Sequence, residues 1–184
     1  MRGDFLWLVL PIIVLVVLGI LAYLSKARRN LLRLRIEIDK TGASLDALLK
    51  HRHDELPKLI GTCRGYMPHD HPAFEALGTA RGDYLKAHTL QEKTLANLAM
   101  AGAIENLFKC AGDFAGLKSN SNFAKFRKQN SELETGIEEQ QDLFNALVSS
   151  YNTRIRRFPE SIAARMAHLE PRQPIADLNP GSEA

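Results

Sequence analysis

The histidines and aspartates between positions 51 and 71, His51, His53, Asp54, His69, Asp70 and His71, are of types that bind transition metals. Their spacing works against a shared site. At about 100° per residue, His51 and His53 diverge by roughly 200° on a helix, whereas paired helical ligands sit three or four apart. His69-Asp70-His71 falls in a turn and reads as a solvated polar loop. For nucleophilic chemistry the chain offers Cys63 and Cys110, but neither has an identifiable base, and no serine sits in a strand-to-helix elbow. Glu132, Glu134, Glu138 and Glu139 are spaced like a solvated helix face and lack the Glu-x-x-His pairing of a di-iron bundle. The expectation is therefore no catalytic residue, no cofactor-binding residue, no metal ligand, no cofactor and no enzyme.

A second polar set lies where apolar residues belong. Arg52 falls three after Leu49 and four before Leu56, Arg81 four after Leu77 and three before Tyr84, and Asn130 four after Phe126 and three before Leu133. All three should point inward. Asn145 and Asn152 are seven apart and share one helix edge beside Phe144 and Tyr151. A buried arginine without a partner is costly, so acceptors such as Asp54 or Glu134 are required. Arg52, Asp54, Arg81, Asn130, Glu134, Asn145 and Asn152 thus form a candidate buried polar network. It has two readings: fixing helix register, as a buried polar residue does in a coiled coil, or lining a ligand or partner cleft between helices.

The elements that must position these residues are helical. From 123 to 158 the positions Phe123, Phe126, Leu133, Ile137, Phe144, Val148, Tyr151, Ile155 and Phe158 recur by threes, fours and their sums, with Ser121 or Asn120 to cap the start and Pro159 to disfavour continuation. A matching stripe, Leu45, Leu49, Leu56, Leu59 or Ile60, Cys63 and Tyr66, runs to a break at Met67-Pro68, with a kink expected where Pro57 removes a donor. Between them lie helices over about 73–88 and 91–114, the latter carrying Leu95, Leu98, Leu107, Phe108, Ala111 and Phe114. Short connections make neighbours antiparallel. No segment alternates like a strand. The fold class is all-α: one transmembrane helix, then a long antiparallel up-and-down bundle of about four helices. The bundle domain runs over 25–166, and a tail over 167–184 has too little apolar content to pack.

The transmembrane helix is expected at residues 5–24, FLWLVLPIIVLVVLGILAYL, twenty residues without a charge after a leader at 1–4. A bilayer crossing needs about 20. The run exceeds the roughly 7 to 15 apolar residues of a signal peptide, and no A-x-A pattern follows. Lys26, Arg28, Arg29, Arg33 and Arg35 follow it and would face anionic headgroups, giving a single-pass cell-membrane protein with its N-terminus outside and its body in the cytoplasm. The net charge of +3 and the mixed signs through the body exclude a nucleic-acid surface. Cys63 and Cys110 lack C-x-x-C spacing and read as small core residues.

Arg52-His53-Asp54-Glu55-Leu56-Pro57-Lys58-Leu59-Ile60, then Gly65-Tyr66 and Ala80-Arg81, resemble the R-x-D-x-I-P-x-L-V, G-Y and A-R signature of LemA family proteins. Further on, Asn106-Leu107-Phe108, Leu117-Lys118, Asn122-Phe123, Leu133-Glu134 and Phe144-Asn145-x-x-Val148-x-x-Tyr151-Asn152-Thr153 before Phe158-Pro159 look like that family's second block, in the same order. The resemblance covers roughly 30–159. It implies an antiparallel helical bundle on a single-pass anchor and little chemistry, because the family is not defined by a catalytic activity. The expected function is a membrane-anchored scaffold or adaptor working through protein contacts at the inner membrane face, with the lipid bilayer and an unidentified protein as partners. The alternative is a metal- or ligand-binding membrane protein using the region 51–71, and a third reading is a membrane-organising homo-oligomer.

Overall fold

In the computed structural model the chain is all-α, with the described residues being 3–69 and 71–175, and side chains described from Ile13 onward. Among them are six helices: α1 (Gly3–Arg64), α2 (Pro72–Lys86), α3 (Leu90–Ala111), α4 (Ala115–Lys118), α5 (Ser121–Arg156) and α6 (Glu160–Met166). They fall into two compact units, one of residues 3–39 with 146–174 and one of residues 40–145 with Ile175.

The larger unit owes its core to the stripes on α1 and α5. Leu45, Leu49, Leu56, Leu59 and Cys63 of α1 are buried, as are Phe126 and Ile137 of α5 and Leu77 of α2. α3 differs from expectation. Leu95 and Leu98 are 56% and 47% exposed, and the buried residues are Thr94, Ala96, Asn97, Met100, Ile104, Leu107 and Ala111. This face keeps helical spacing but carries two polar side chains. Thr94 satisfies its hydroxyl locally by donating to the Leu90 carbonyl at 2.8 Å. At Gly42 of α1, a Cβ would lie 3.2 Å from Phe144 Cε2 and 3.5 Å from Leu90 Cδ2, so helix backbone approaches side chains there as only glycine permits without a shift.

Local sequence accounts for the helix boundaries. α1 ends as Cys63 O accepts from the amides of Tyr66 (3.0 Å) and Met67 (2.9 Å), just before Pro68. Thr89 Oγ1 accepts from Glu92 N (3.2 Å), and Glu92 Oε2 accepts from Thr89 N (3.2 Å) and His88 N (2.7 Å), a reciprocal capping box. Asn120 caps α5, its Oδ1 accepting from the amides of Asn122 (2.9 Å) and Phe123 (3.1 Å).

In the smaller unit α1 contributes buried Ala27, Leu31 and Ile38, α5 contributes Val148, Tyr151 and Ile155, and α6 contributes Ala163 and Ala164. α6 ends in a Schellman motif. His168 takes φ 48°, Leu169 N donates to Ala164 O (3.0 Å) and His168 N donates to Arg165 O (3.2 Å). Residues 169–174, without regular secondary structure, are then fastened to their unit. Tyr151 donates its hydroxyl to Glu170 O at 3.1 Å, and Asn152 both donates to Arg172 O (2.8 Å) and accepts from Arg172 N (2.9 Å). Arg172 adds an ion pair to Asp39 at 3.0 Å. The sequence expectation of a tail unable to pack weighed apolar content, whereas this stretch is fastened through its backbone.

The expected membrane crossing is corrected. Among the described residues, no helix is long and apolar enough to span a bilayer. The part of the expected span at 5–12 lies outside the described side chains, and the leader residues Met1 and Arg2 lie outside the described residues. With the span fall the bilayer as a partner, the single-pass topology and the assignment of an outside and a cytoplasmic face. Lys26, Arg28, Arg29, Arg33 and Arg35 are exposed positions on α1.

Candidate functional site

The stripe on α1 carries Arg52 into the larger unit's core, where it is 2% exposed and among the largest fully buried side chains. Its guanidinium is poorly matched. Nη1 donates to Asn97 Oδ1 of α3 at 3.5 Å, the outer edge of hydrogen bonding. Nη2 lies 3.7 Å from Glu134 Oε1 of α5, within ion-pair range but too far for a hydrogen bond. Nε and Nη2 have no hydrogen-bond partner, and neither has Asn130 Oδ1 on the neighbouring turn of α5. Burial lowers the Arg52 pKa from its ordinary value, opposed by the nearby carboxylates of Glu134 and Glu138; arginine nonetheless keeps its charge in proteins.

These groups line a cleft of about 470 Å³ between α1, α3 and α5. Asn97 and Asn130 are buried in its wall, Leu98, Phe108 and Ile137 supply apolar surface, and Glu105, Arg127, Glu134 and Glu138 stand around it. Gly102 lines the same cleft, and a Cβ there would meet nothing within 4 Å. Glu134 is 46% exposed, and Glu105 is held at 2.8 Å by Lys109 on its own helix. The volume falls in the range of small-molecule sites, about 300–1,000 Å³.

The rest of the expected network divides. Asp54 and Arg81 meet through His53, whose Nδ1 lies 3.0 Å from Asp54 Oδ1 while Nε2 accepts from Arg81 Nε at 3.2 Å. A proton on Nδ1 satisfies both contacts. The His53 ring stacks on Tyr84 at 4.8 Å between centroids. The hydrogen bond from His53 lowers the Asp54 carboxyl below its ordinary value, and burial pushes the Tyr84 hydroxyl up to about 12. Asn152 fastens Arg172 in the smaller unit, and in the larger unit Asn145 Oδ1 accepts from Ile175 N at 2.9 Å. Sequence reasoning therefore found Arg52, Asn130 and Glu134 but missed Asn97. Its signal was present, since Asn97 lies three after Thr94 and three before Met100.

The metal alternative is overturned. Among the described residues, no three His, Cys, Asp or Glu side chains are grouped to hold an ion. His53 is engaged as above, and His51 points to Glu55 at 3.8 Å. His71 caps α2, its Nδ1 accepting from Ala73 N at 3.2 Å. Asp70 lies outside the described residues. Cys63 is fully buried, and burial pushes its thiol up to about 11, so it is not a nucleophile at neutral pH.

The LemA family profile matches residues 41–179, and the chain belongs to the LemA family. LemA family proteins are not known as catalytic enzymes, which agrees with the non-enzymatic expectation. A comparison with the curated proteins found no match.

Proposed function

We propose that this chain is a non-catalytic binding protein whose cleft between α1, α3 and α5 takes a small polar ligand carrying hydrogen-bond acceptors. The observation that carries this reading is Arg52, a cleft-lining side chain 2% exposed, whose Nε and Nη2 make no hydrogen bond, Nη2 having only the 3.7 Å ion pair to Glu134. A side chain serving only to fix register has its donors satisfied, because each unmade buried hydrogen bond costs about 1–3 kcal/mol and more for a charged group. Here the frame leaves them open, and an external acceptor completes them. The site is distinct from the histidines at 51–71 and needs no metal.

Gly102 provides the test. In Gly102→Leu the new side chain enters open space in the cleft, while helix propensity improves by roughly 0.8–1 kcal/mol. A panel of small carboxylates, amides and amino acids should give ligands that shift the amide resonances around Asn97 and Gly102 in the full chain, and Gly102→Leu should abolish those shifts. Ligands whose effects persist in Gly102→Leu would refute the reading.

A further inference from the structure

The unpaired groups are specific in kind. Asn97 accepts from Nη1, so the two nitrogens of Arg52 without a hydrogen bond, Nε and the Nη2 that lies 3.7 Å from Glu134, are those along one edge of the guanidinium, the fork that pairs with two oxygens of one carboxylate. An amide oxygen fills one prong and leaves the other. Across the cleft the demand reverses: Asn130 Oδ1 is a buried acceptor with nothing donating to it. The carboxylates of Glu134 and Glu138 stand on the same helix, one and two turns further on. A simple anion satisfies the fork but meets Glu134 and leaves Asn130 open. A simple cation suits Glu134 and Asn130 but meets Arg52.

We propose that the cleft's ligand is a compact zwitterion of the free α-amino-acid class, its carboxylate on the Nε and Nη2 edge of Arg52 and its ammonium donating to Asn130 Oδ1 and facing Glu134. The inference rests on the binding reading above and adds the ligand's charge pattern to it. Leu98, Phe108 and Ile137 form the wall available to the ligand's own side chain. Arg127, on the turn before Asn130, adds a cation at the rim, and Glu105 is engaged by Lys109, so Glu134 and Glu138 remain to meet an ammonium.

The experiment titrates the full chain, by calorimetry, with three matched series: free α-amino acids, the same acids lacking the amino group, and the same compounds as C-terminal amides. The zwitterions should bind at least tenfold more tightly than either analogue, Glu134→Gln should reduce the advantage over the deaminated acids, and Gly102→Leu should abolish binding. Deaminated acids or amides binding as well as the zwitterions, with the same loss in Gly102→Leu, would overturn the zwitterion while leaving a ligand cleft. Failure of all three series, or binding indifferent to Gly102→Leu, would also overturn it. The exchange behaviour of Arg52→Met, which needs no ligand, then decides separately whether the cleft is a site.

Discussion

Replacing Arg52 with methionine should stabilise the ligand-free larger unit. Methionine keeps the unbranched stem that packs between Leu49 and Leu56 and removes the charge. What is lost is small on the structure's own distances. The bond to Asn97 is 3.5 Å long, the Glu134 contact of Nη2 is 3.7 Å with its carboxylate 46% exposed, and neither Nε nor Nη2 makes a hydrogen bond. What is relieved is the desolvation of a guanidinium that is 2% exposed. Replacing buried ionic groups with apolar residues of similar volume is often neutral or stabilising by about 1–4 kcal/mol. Against this stands Asn97 Oδ1, left without its donor at about 1–3 kcal/mol, nearer the low end because the cleft admits water. A net gain of about 1–2 kcal/mol follows, a factor of roughly 5–30 in the opening equilibrium. Hydrogen exchange followed by mass spectrometry on peptides from α3 and α5 reads this locally, and those amides should exchange more slowly by that factor. Faster exchange, equivalent to a loss of about 3–5 kcal/mol, is what breaking a well-compensated buried pair produces. That result would make Arg52 a satisfied structural residue and refute the reasoning.

Asn152→Ala removes both bonds to the Arg172 backbone, about 1–3 kcal/mol at 0.5–1.5 each, and should speed proteolysis and exchange between 168 and 174. Asn152→Asp keeps an acceptor but no donor at neutral pH and should fall between the two. His168→Gly should stabilise the end of α6 by about 0.5–1 kcal/mol, because φ 48° suits glycine, measurable as a raised thermal midpoint. Alkylation at pH 8 should label half-buried Cys110 well before Cys63, whose thiol is pushed up to about 11; equal rates would refute the buried placement. Glu92 is held below its ordinary value first by the backbone amides of His88 and Thr89. Its folded pKa is thus depressed, so the cap contributes above the ordinary 4.5 and is lost as pH falls through the folded value; amides at the start of α3 should lose protection in acid, and Glu92→Gln should flatten that dependence.

The long stripes of α1 and α5 were legible because Leu45, Leu49 and Leu56, or Ile137, Val148 and Tyr151, repeat the helical period over many turns. α3 was misread for the converse reason. Leu107 and Ala111 are buried as expected, but the first half of its core face carries Thr94 and Asn97 while Leu95 and Leu98 face out, so ranking by hydropathy misplaced that half and concealed the partner of Arg52. The inward turn of Arg52 and Asn130 followed from spacing, but which acceptors would reach them depended on α3 and could not follow from α1 or α5. The T-x-x-E pattern at Thr89 and Glu92 announced its capping box. The fastening of Glu170 and Arg172 announced nothing, because it uses backbone groups any sequence supplies. The expected span rested on a count of apolar residues, and among the described residues no helix is long and apolar enough to cross a bilayer.

The most direct test of the central claim watches the Arg52 Nε–H resonance of the full chain in a nitrogen-edited NMR spectrum while free α-amino acids are added. The account predicts a saturable shift of this one arginine signal, as a donor without a partner gains a carboxylate, and no shift in Gly102→Leu. A signal that stays fixed through the titration while the amino acid binds elsewhere, or that shifts equally in Gly102→Leu, would contradict it.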